Sequence, residues 1–187
     1  MAVATLKTLE RRKEFEEIIG HHSLDNLVNL HITQPQIATD PEFNQLCSSL
    51  EKDARTMGHH YDLTTTKWAL REAISNAYRH GNGGRGIDVN YLINQYKISI
   101  IVKDNAEKRC GFDMNKLMIK GRKAKESPET HQKLIMELQR KRNEKYAHKG
   151  NHGGLGLFQI GYWTDKAMAF YEHGQGNIVY LEKHRKA

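Results

Sequence analysis

Two runs of alternating apolar residues flank Asn94-Gln95: Val89, Tyr91 and Ile93 before it, Ile98, Ile100 and Val102 after it. Successive side chains of a strand point to opposite faces, so a period of two calls for a strand with one buried face. Two such runs joined at a tight turn specify an antiparallel hairpin over 87–94 and 96–104. A hairpin alone is marginal in water, so the rest of the chain must cover its apolar face. Helical spacing supplies the cover. Phe43, Leu46, Cys47, Leu50, Ala54 and Met57 form one helical stripe. Asp40 suits its N-cap, Pro41 its first turn, Glu42 the positive end of the dipole, and Gly58 its end. Cys47 reads as a small buried hydrophobe. Leu70, Ala73, Ile74 and Ala77 recur at i, i+3, i+4, i+7 on a second helix, opened by Thr64-Thr65-Thr66 and closed at Gly81. A first strand is expected through Leu27, Val28, Leu30 and Ile32, and two last strands over Ala167–Tyr171 and Asn177–Leu181. A charged helix is expected over 5–20, another helix from Ser127-Pro128-Glu129, and an apolar one over Leu157–Trp163.

A chain of 187 residues suits one domain with decorations. No run approaches the roughly 18 apolar residues of a membrane span, and Met1–Leu9 lacks the apolar stretch of a signal peptide. Two cysteines, Cys47 and Cys110, cannot make a disulfide framework, which points to a reducing, cytoplasmic home. The net charge of +7 is local: residues 115–150 hold 11 Lys/Arg and 4 Asp/Glu, leaving 18 of each sign elsewhere. A uniformly basic nucleic-acid-binding domain is therefore disfavoured. The basic segment also lacks interleaved aromatics or zinc-ligand spacing.

Three stretches carry chemistry. Glu72, Asn76 and Arg79 stand at i, i+4, i+7 on the second helix, roughly opposite its apolar stripe. A carboxylate can accept a proton, an amide oxygen can ligate a hard cation, and a guanidinium can bind phosphate. The same row also reads as a solvated helix face. Asp104 ends the second hairpin strand at the rim of the sheet, where sites form. Gly153-Gly154-Leu155-Gly156-Leu157-Phe158 leads into an apolar helix, and free N–H groups at a helix entrance suit an anion. Structural glycines in a loop are the alternative. The run Gly81-Asn82-Gly83-Gly84-Arg85-Gly86 matches G-x-G-x-x-G, but it follows a helix, so it is no dinucleotide fingerprint. The pairs His21-His22 and His59-His60 lack partners at metal-ligand spacing and read as surface or loop residues.

Taken in order, these pieces resemble one family. Glu72-x-x-x-Asn76 with His80-Gly81 resembles the N-box of the GHKL (Bergerat-fold) ATP-binding superfamily. Val102-Lys103-Asp104 through Gly111-Phe112-Asp113 is similar to its first glycine box, and Gly153–Phe158 resembles its second. The nearest likeness is to anti-sigma-factor serine kinases, and it covers Leu27 to Lys183. The resemblance implies an α/β two-layer sandwich, a mixed sheet backed by helices with an ATP lid. Residues 1–26 would be a helical extension, 27–187 the ATP-binding domain, and about 115–150 a basic lid insertion.

Carried over by the same resemblance, Glu72 would orient or deprotonate the attacking hydroxyl, and Asn76 would hold Mg²⁺. Arg79 would contact phosphate. Asp104 would accept a hydrogen bond from the adenine amino group. Gly111 would join the ATP-binding set, and Gly154, Leu155, Gly156 and Leu157 would cradle phosphates. The implied cofactors are ATP and Mg²⁺. The implied partner is a sigma factor or an antagonist-like protein, and homodimers are common among such relatives. The chain departs from the family at Ala106, where a glycine is usual, at the extra Glu107-Lys108-Arg109, in its long basic lid, and at Asn177, where threonine is usual. Two alternatives stand beside the kinase. One is a nucleotide-binding regulatory module that docks an acidic partner through the basic lid. The other is a stand-alone histidine-kinase-like ATPase domain.

Overall fold

The structure is a computed structural model, and it describes residues 13–14, 16–17, 27–31, 37–60, 63–81, 86–105, 114–127, 129, 132–133, 135–137, 140, 155–172 and 176–185. The hairpin forms the middle of a five-stranded sheet. β2 (Ile87–Ile93) and β3 (Lys97–Lys103) pair with Val89 opposite Val102 and Tyr91 opposite Ile100. The turn is held by Asn94, whose side-chain oxygen accepts from the N–H groups of Tyr96 at 2.9 Å and Lys97 at 3.0 Å. An asparagine that bonds the backbone two residues on is a standard turn device. β1 (Leu27–Leu30) lies outside β2, and β4 (Lys166–Glu172) and β5 (Gly176–His184) continue beyond β3 in the order β1-β2-β3-β5-β4.

The mixed sheet implied by the family likeness is not observed: every neighbouring pair among the described strands is antiparallel. The reason is local. β3 and β4 do run in the same direction, but β5 turns back from β4 and fills the place between them. No parallel pair is left.

One face of the sheet is covered by α1 (Pro41–Thr56), α2 (Leu63–Asn76), α3 (Met114–Lys123) and α4 (Leu155–Trp163). Their buried residues, among them Leu50, Ile74, Met118 and Ile160, form one cluster with Val89, Ile100, Val102 and Leu181 of the sheet. Fully burying a side chain of that size contributes roughly 1.5–3 kcal/mol. α1 begins as its sequence suggests: the Asp40 carboxylate accepts from the N–H groups of Glu42 at 3.0 Å and Phe43 at 3.3 Å. Burial pushes the Cys47 thiol up to about 11, in keeping with a core residue. Met57 does not join the stripe; it caps the helix and is 46% exposed.

Gly58 follows with φ +81°, and the turn it permits carries His59 back beneath the hairpin. His59 is a loop residue but a buried one, with its Nε2 paired to the Asn94 carbonyl at 2.6 Å. The loop placement expected of it holds, and its burial comes from the hairpin turn that lies against it.

The opposite face of the sheet carries a smaller cluster of Ile101, Met168, Ile178 and Tyr180. Beside it, the Glu182 carboxylate accepts from Lys97 at 2.7 Å, from Tyr180 and from His184. Burial raises its carboxyl group, but those hydrogen bonds outweigh burial and hold it down at about 2.

α3 is absent from the sequence expectations. The segment expected as a basic lid from about residue 115 begins within this helix, whose Met118 and Gly121 are buried. α3 and α4 cross backbone to backbone. A Cβ at Gly121 would fall inside the carbonyl of Phe158, and one at Gly161 inside the carbonyl of Met118. Only glycine allows so close an approach at both positions. Lys125 fixes the end of the segment by donating to the Thr164 carbonyl and, at 3.0 Å, to Asp165. The helices expected over 5–20 and from Ser127 fall largely outside the described residues. Among those residues no helix is long and apolar enough to cross a membrane.

Candidate functional site

The apolar stripe of α2 is buried against the sheet, which leaves Glu72 and Asn76 half-buried along the side that faces α4. At Asn76 the helix changes character: Ala77–Gly81 form a π-helical turn. Each residue in such a turn bonds five positions on rather than four, so the rows of an α-helix fall out of register. The i, i+4, i+7 alignment of Glu72, Asn76 and Arg79 therefore stops after Asn76. Arg79 is exposed, and His80 rather than Arg79 reaches the pocket described next.

Beyond Asn76 lies a pocket built by elements far apart in sequence. α2 and its π turn give Asn76, Ala77 and His80; β3 gives Val102, with Asp104 just past its end; α3 gives Met114; α4 gives Leu157; and β5 gives Asn177 and Val179. Its lining combines apolar side chains with a few polar ones, Asn76, His80, Asp104 and Asn177, the usual make-up of a small-molecule site. Asn76, Asp104 and Leu157 come from the three separated motifs of the sequence, and the fold brings them to this one cavity.

Asp104 is held from β5. It is only 6% exposed. Its Oδ1 accepts from the backbone N–H of Asn177 at 2.7 Å. The Asn177 side-chain Nδ2 donates to Oδ1 at 3.3 Å and to Oδ2 at 3.1 Å. In return the Asp104 N–H donates to the Asn177 carbonyl at 2.9 Å. Gly176, with φ +92°, lies directly against this carboxylate: a Cβ there would overlap the Asp104 carbonyl and come within 2.8 Å of its Oδ1. Sequence reasoning missed Gly176. Its only signal is a glycine immediately before the first polar residue of a strand.

Glu72 and Asn76 meet the entrance of α4. A Cβ at Gly156 would stand 2.8 Å from Glu72 Oε2 and 3.3 Å from Asn76 Nδ2. Glycine at 156 thus keeps open a small space bordered by a carboxylate and an amide. Arg71 touches the other Glu72 oxygen at 3.5 Å, a loose pairing that leaves the carboxylate half-buried but approachable. Two buried polar atoms of the pocket lack hydrogen-bond partners, Asn76 Nδ2 and Asn177 Oδ1. Unpaired buried polar atoms are uncommon in native proteins and call for an explanation such as a missing ligand.

Hard oxygen donors are what Mg²⁺ prefers. The Glu72 carboxylate beside Gly156 is such a donor, whereas the Asn76 amide sets its Nδ2 at 3.3 Å and its Oδ1 at 3.6 Å from that space. Of the remaining residues expected at the site, Leu155 opens α4, while Gly111 and Gly154 lie outside the described residues. Sequence reasoning also missed Met114 and Val179, which line the pocket as ordinary apolar positions do. No protein-family model matches the chain, and none of the curated proteins matches it.

Proposed function

We propose that the protein binds Mg²⁺-ATP in this pocket and acts as a cytoplasmic serine kinase of the GHKL (Bergerat-fold) kind that phosphorylates or sequesters a protein partner. One observation carries the reading. Asn76, Asp104 and Leu157, from three motifs that resemble GHKL boxes in their order, line a single pocket whose other residues are mostly apolar. An adenine ring would lie between Ala77, Val102, Met114 and Val179, with its amino group at Asp104. The phosphates would run toward the N-terminal turn of α4, whose free N–H groups favour anions. Asn76, with Glu72 beside it, would hold Mg²⁺, and the ion when bound supplies neutralisation of the phosphate charge.

Phosphoryl transfer needs mainly positioning and electrostatic stabilisation. In the proposed reaction a serine hydroxyl of the partner attacks the γ-phosphorus. The new bond joins serine oxygen to phosphorus, the bond to the β-phosphate oxygen breaks, and ADP leaves. Glu72 accepts the serine proton. General-base catalysis of this type contributes about 10²–10⁴-fold. Incubation with Mg²⁺-ATP and a substrate protein bearing an accessible serine should therefore give phosphoserine with the natural chain and at least about a hundredfold less with Glu72→Ala. Equal transfer by both proteins would remove Glu72 from the mechanism.

A second reading is favoured by α3. Lys116, Lys120 and Lys123 are exposed at i, i+4, i+7 along one side of a helix whose other side is locked to α4. A nucleotide-responsive module without kinase activity could dock an acidic protein along that row. Pull-down of such a partner would then weaken between low and high salt, because exposed charges are screened beyond about 10 Å at 0.1 M. Retention independent of salt would contradict docking through this row.

A further inference from the structure

The face of the sheet turned away from α1–α4 is buried too. On it Tyr180 is 1% exposed, Ile178 3%, and Ile101 and Met168 8% each. Ser99 and Glu182, paired across β3 and β5 on the same face, are 1% and 6% exposed. An antiparallel sheet can leave one face in water, and the side chains on that face are then exposed. These are shielded, so something covers them.

One contact says what does. Residues 13–14 and 16–17 are helical, and Glu14 Oε1 accepts from Lys166 Nζ at 2.5 Å. Lys166 stands on this outer face, opposite Glu182. Burial and the Glu182 hydrogen bond hold the Tyr180 hydroxyl above its ordinary range, and the charge of Glu14 adds to this through space. Glu14 is therefore close to the centre of the face as well as to its rim. Lys13, Glu14, Glu16 and Glu17 are all exposed. At about 100° per residue they mark one side of a helix, and the sequence sets Phe15, Ile18 and Ile19 on the other.

We infer that residues 5–20 of this same chain dock on the outer face as an amphipathic helix, with Phe15, Ile18 and Ile19 toward the Ile101–Tyr180 cluster and Glu14 on Lys166. The outer face is thus an interaction surface for a helix with an apolar side and an acidic flank, and the chain supplies that helix itself. The segment is then a third layer of the domain rather than an arm held out for a partner.

The test is zero-length coupling in the full chain. A carbodiimide joins a carboxylate to an amine only where the two touch. Treatment of the natural chain should give a Glu14–Lys166 amide, read by mass spectrometry of the digested monomer. Glu14→Lys alone and Lys166→Glu alone should each lose this link. The double variant, which exchanges the two charges, should regain it, and that recovery separates loss of the ion pair from misfolding. In parallel, Phe15→Asp should raise the fluorescence of the apolar dye ANS severalfold by baring the outer face, while Glu17→Gln, on the exposed side, should leave it unchanged. A link found only between two chains overturns docking within one chain. Absence of the link in the natural chain, or an unchanged dye signal in Phe15→Asp, overturns the docked segment altogether.

Discussion

Gly161→Ala is expected to unfold at much lower denaturant than the natural sequence. The added methyl group would occupy the position of the Met118 carbonyl, with the Met118 Cα also too close. Backbone cannot rotate aside as a side chain can, so α3 must lift from α4. Overpacking within a core costs typically 1–3 kcal/mol and sometimes more. Here the clash is with main chain, and Met118, which is 1% exposed, is pulled from the core along with it. The expected loss is about 3 kcal/mol or more, or roughly 6–12 °C in melting temperature for a chain of this size. Gly121→Ala should behave alike, since its methyl group would meet the Phe158 carbonyl. Urea titrations of both variants check this. A change below about 1 kcal/mol in either would show that the two helices are not in backbone contact.

Gly176→Ala is expected to damage the pocket and the fold together. Its φ of +92° is one that side chains rarely adopt, and holding a residue in such a region costs about 1–3 kcal/mol. The methyl group would also overlap the Asp104 carbonyl. Relief requires β5 to start further from β3, which breaks the bond from the Asn177 N–H to the Asp104 carboxylate at 2.7 Å and the bond from the Asp104 N–H to the Asn177 carbonyl at 2.9 Å. Nucleotide affinity should therefore fall by more than about a hundredfold, while melting drops by several degrees. The two effects are measured separately, by nucleotide titration below the melting transition and by thermal unfolding. Full nucleotide affinity in a destabilised variant would mean that Asp104 is not placed by β5.

Most of the scaffold is legible in the chain because its signals are periodic. The alternation around Asn94 gives the hairpin, and Asp40-Pro41 with the following stripe gives α1 almost to the residue. α3 is missed for a physical reason. Met114, Leu117, Met118 and Gly121 do stand at helical spacing, but the fourth member is a glycine inside a strongly basic run. Periodicity reads hydrophobic volume, and here it is the absence of a side chain that makes the packing surface. Gly161 and Gly176 escape for the same reason: their roles are close approaches between segments far apart in sequence.

At the site, the carboxylates and amides are legible by type, and Asp104 by its place at a strand end. Arg79 departs from the expected row because the π turn after Asn76 shifts the register, and no helical wheel drawn on the sequence contains that turn. His59 is legible as a loop residue but its burial is not, because burial in a loop depends on what folds over it, in this case the turn at Asn94. The strand order likewise lies beyond local pattern. The two last strands are expected over Ala167–Tyr171 and Asn177–Leu181, but nothing local says that the second separates the first from β3.

The central claim is that the three motifs converge on one bound adenine nucleotide, and calorimetric titration of ATP with Mg²⁺ tests it most directly, on the natural chain and on Asp104→Ala. The account predicts one ATP per chain for the natural protein and a loss of affinity of about a hundredfold or more in the variant, because in the proposed site the buried carboxylate would face the base. No heat of binding with the natural chain, or equal affinity in both proteins, would contradict it.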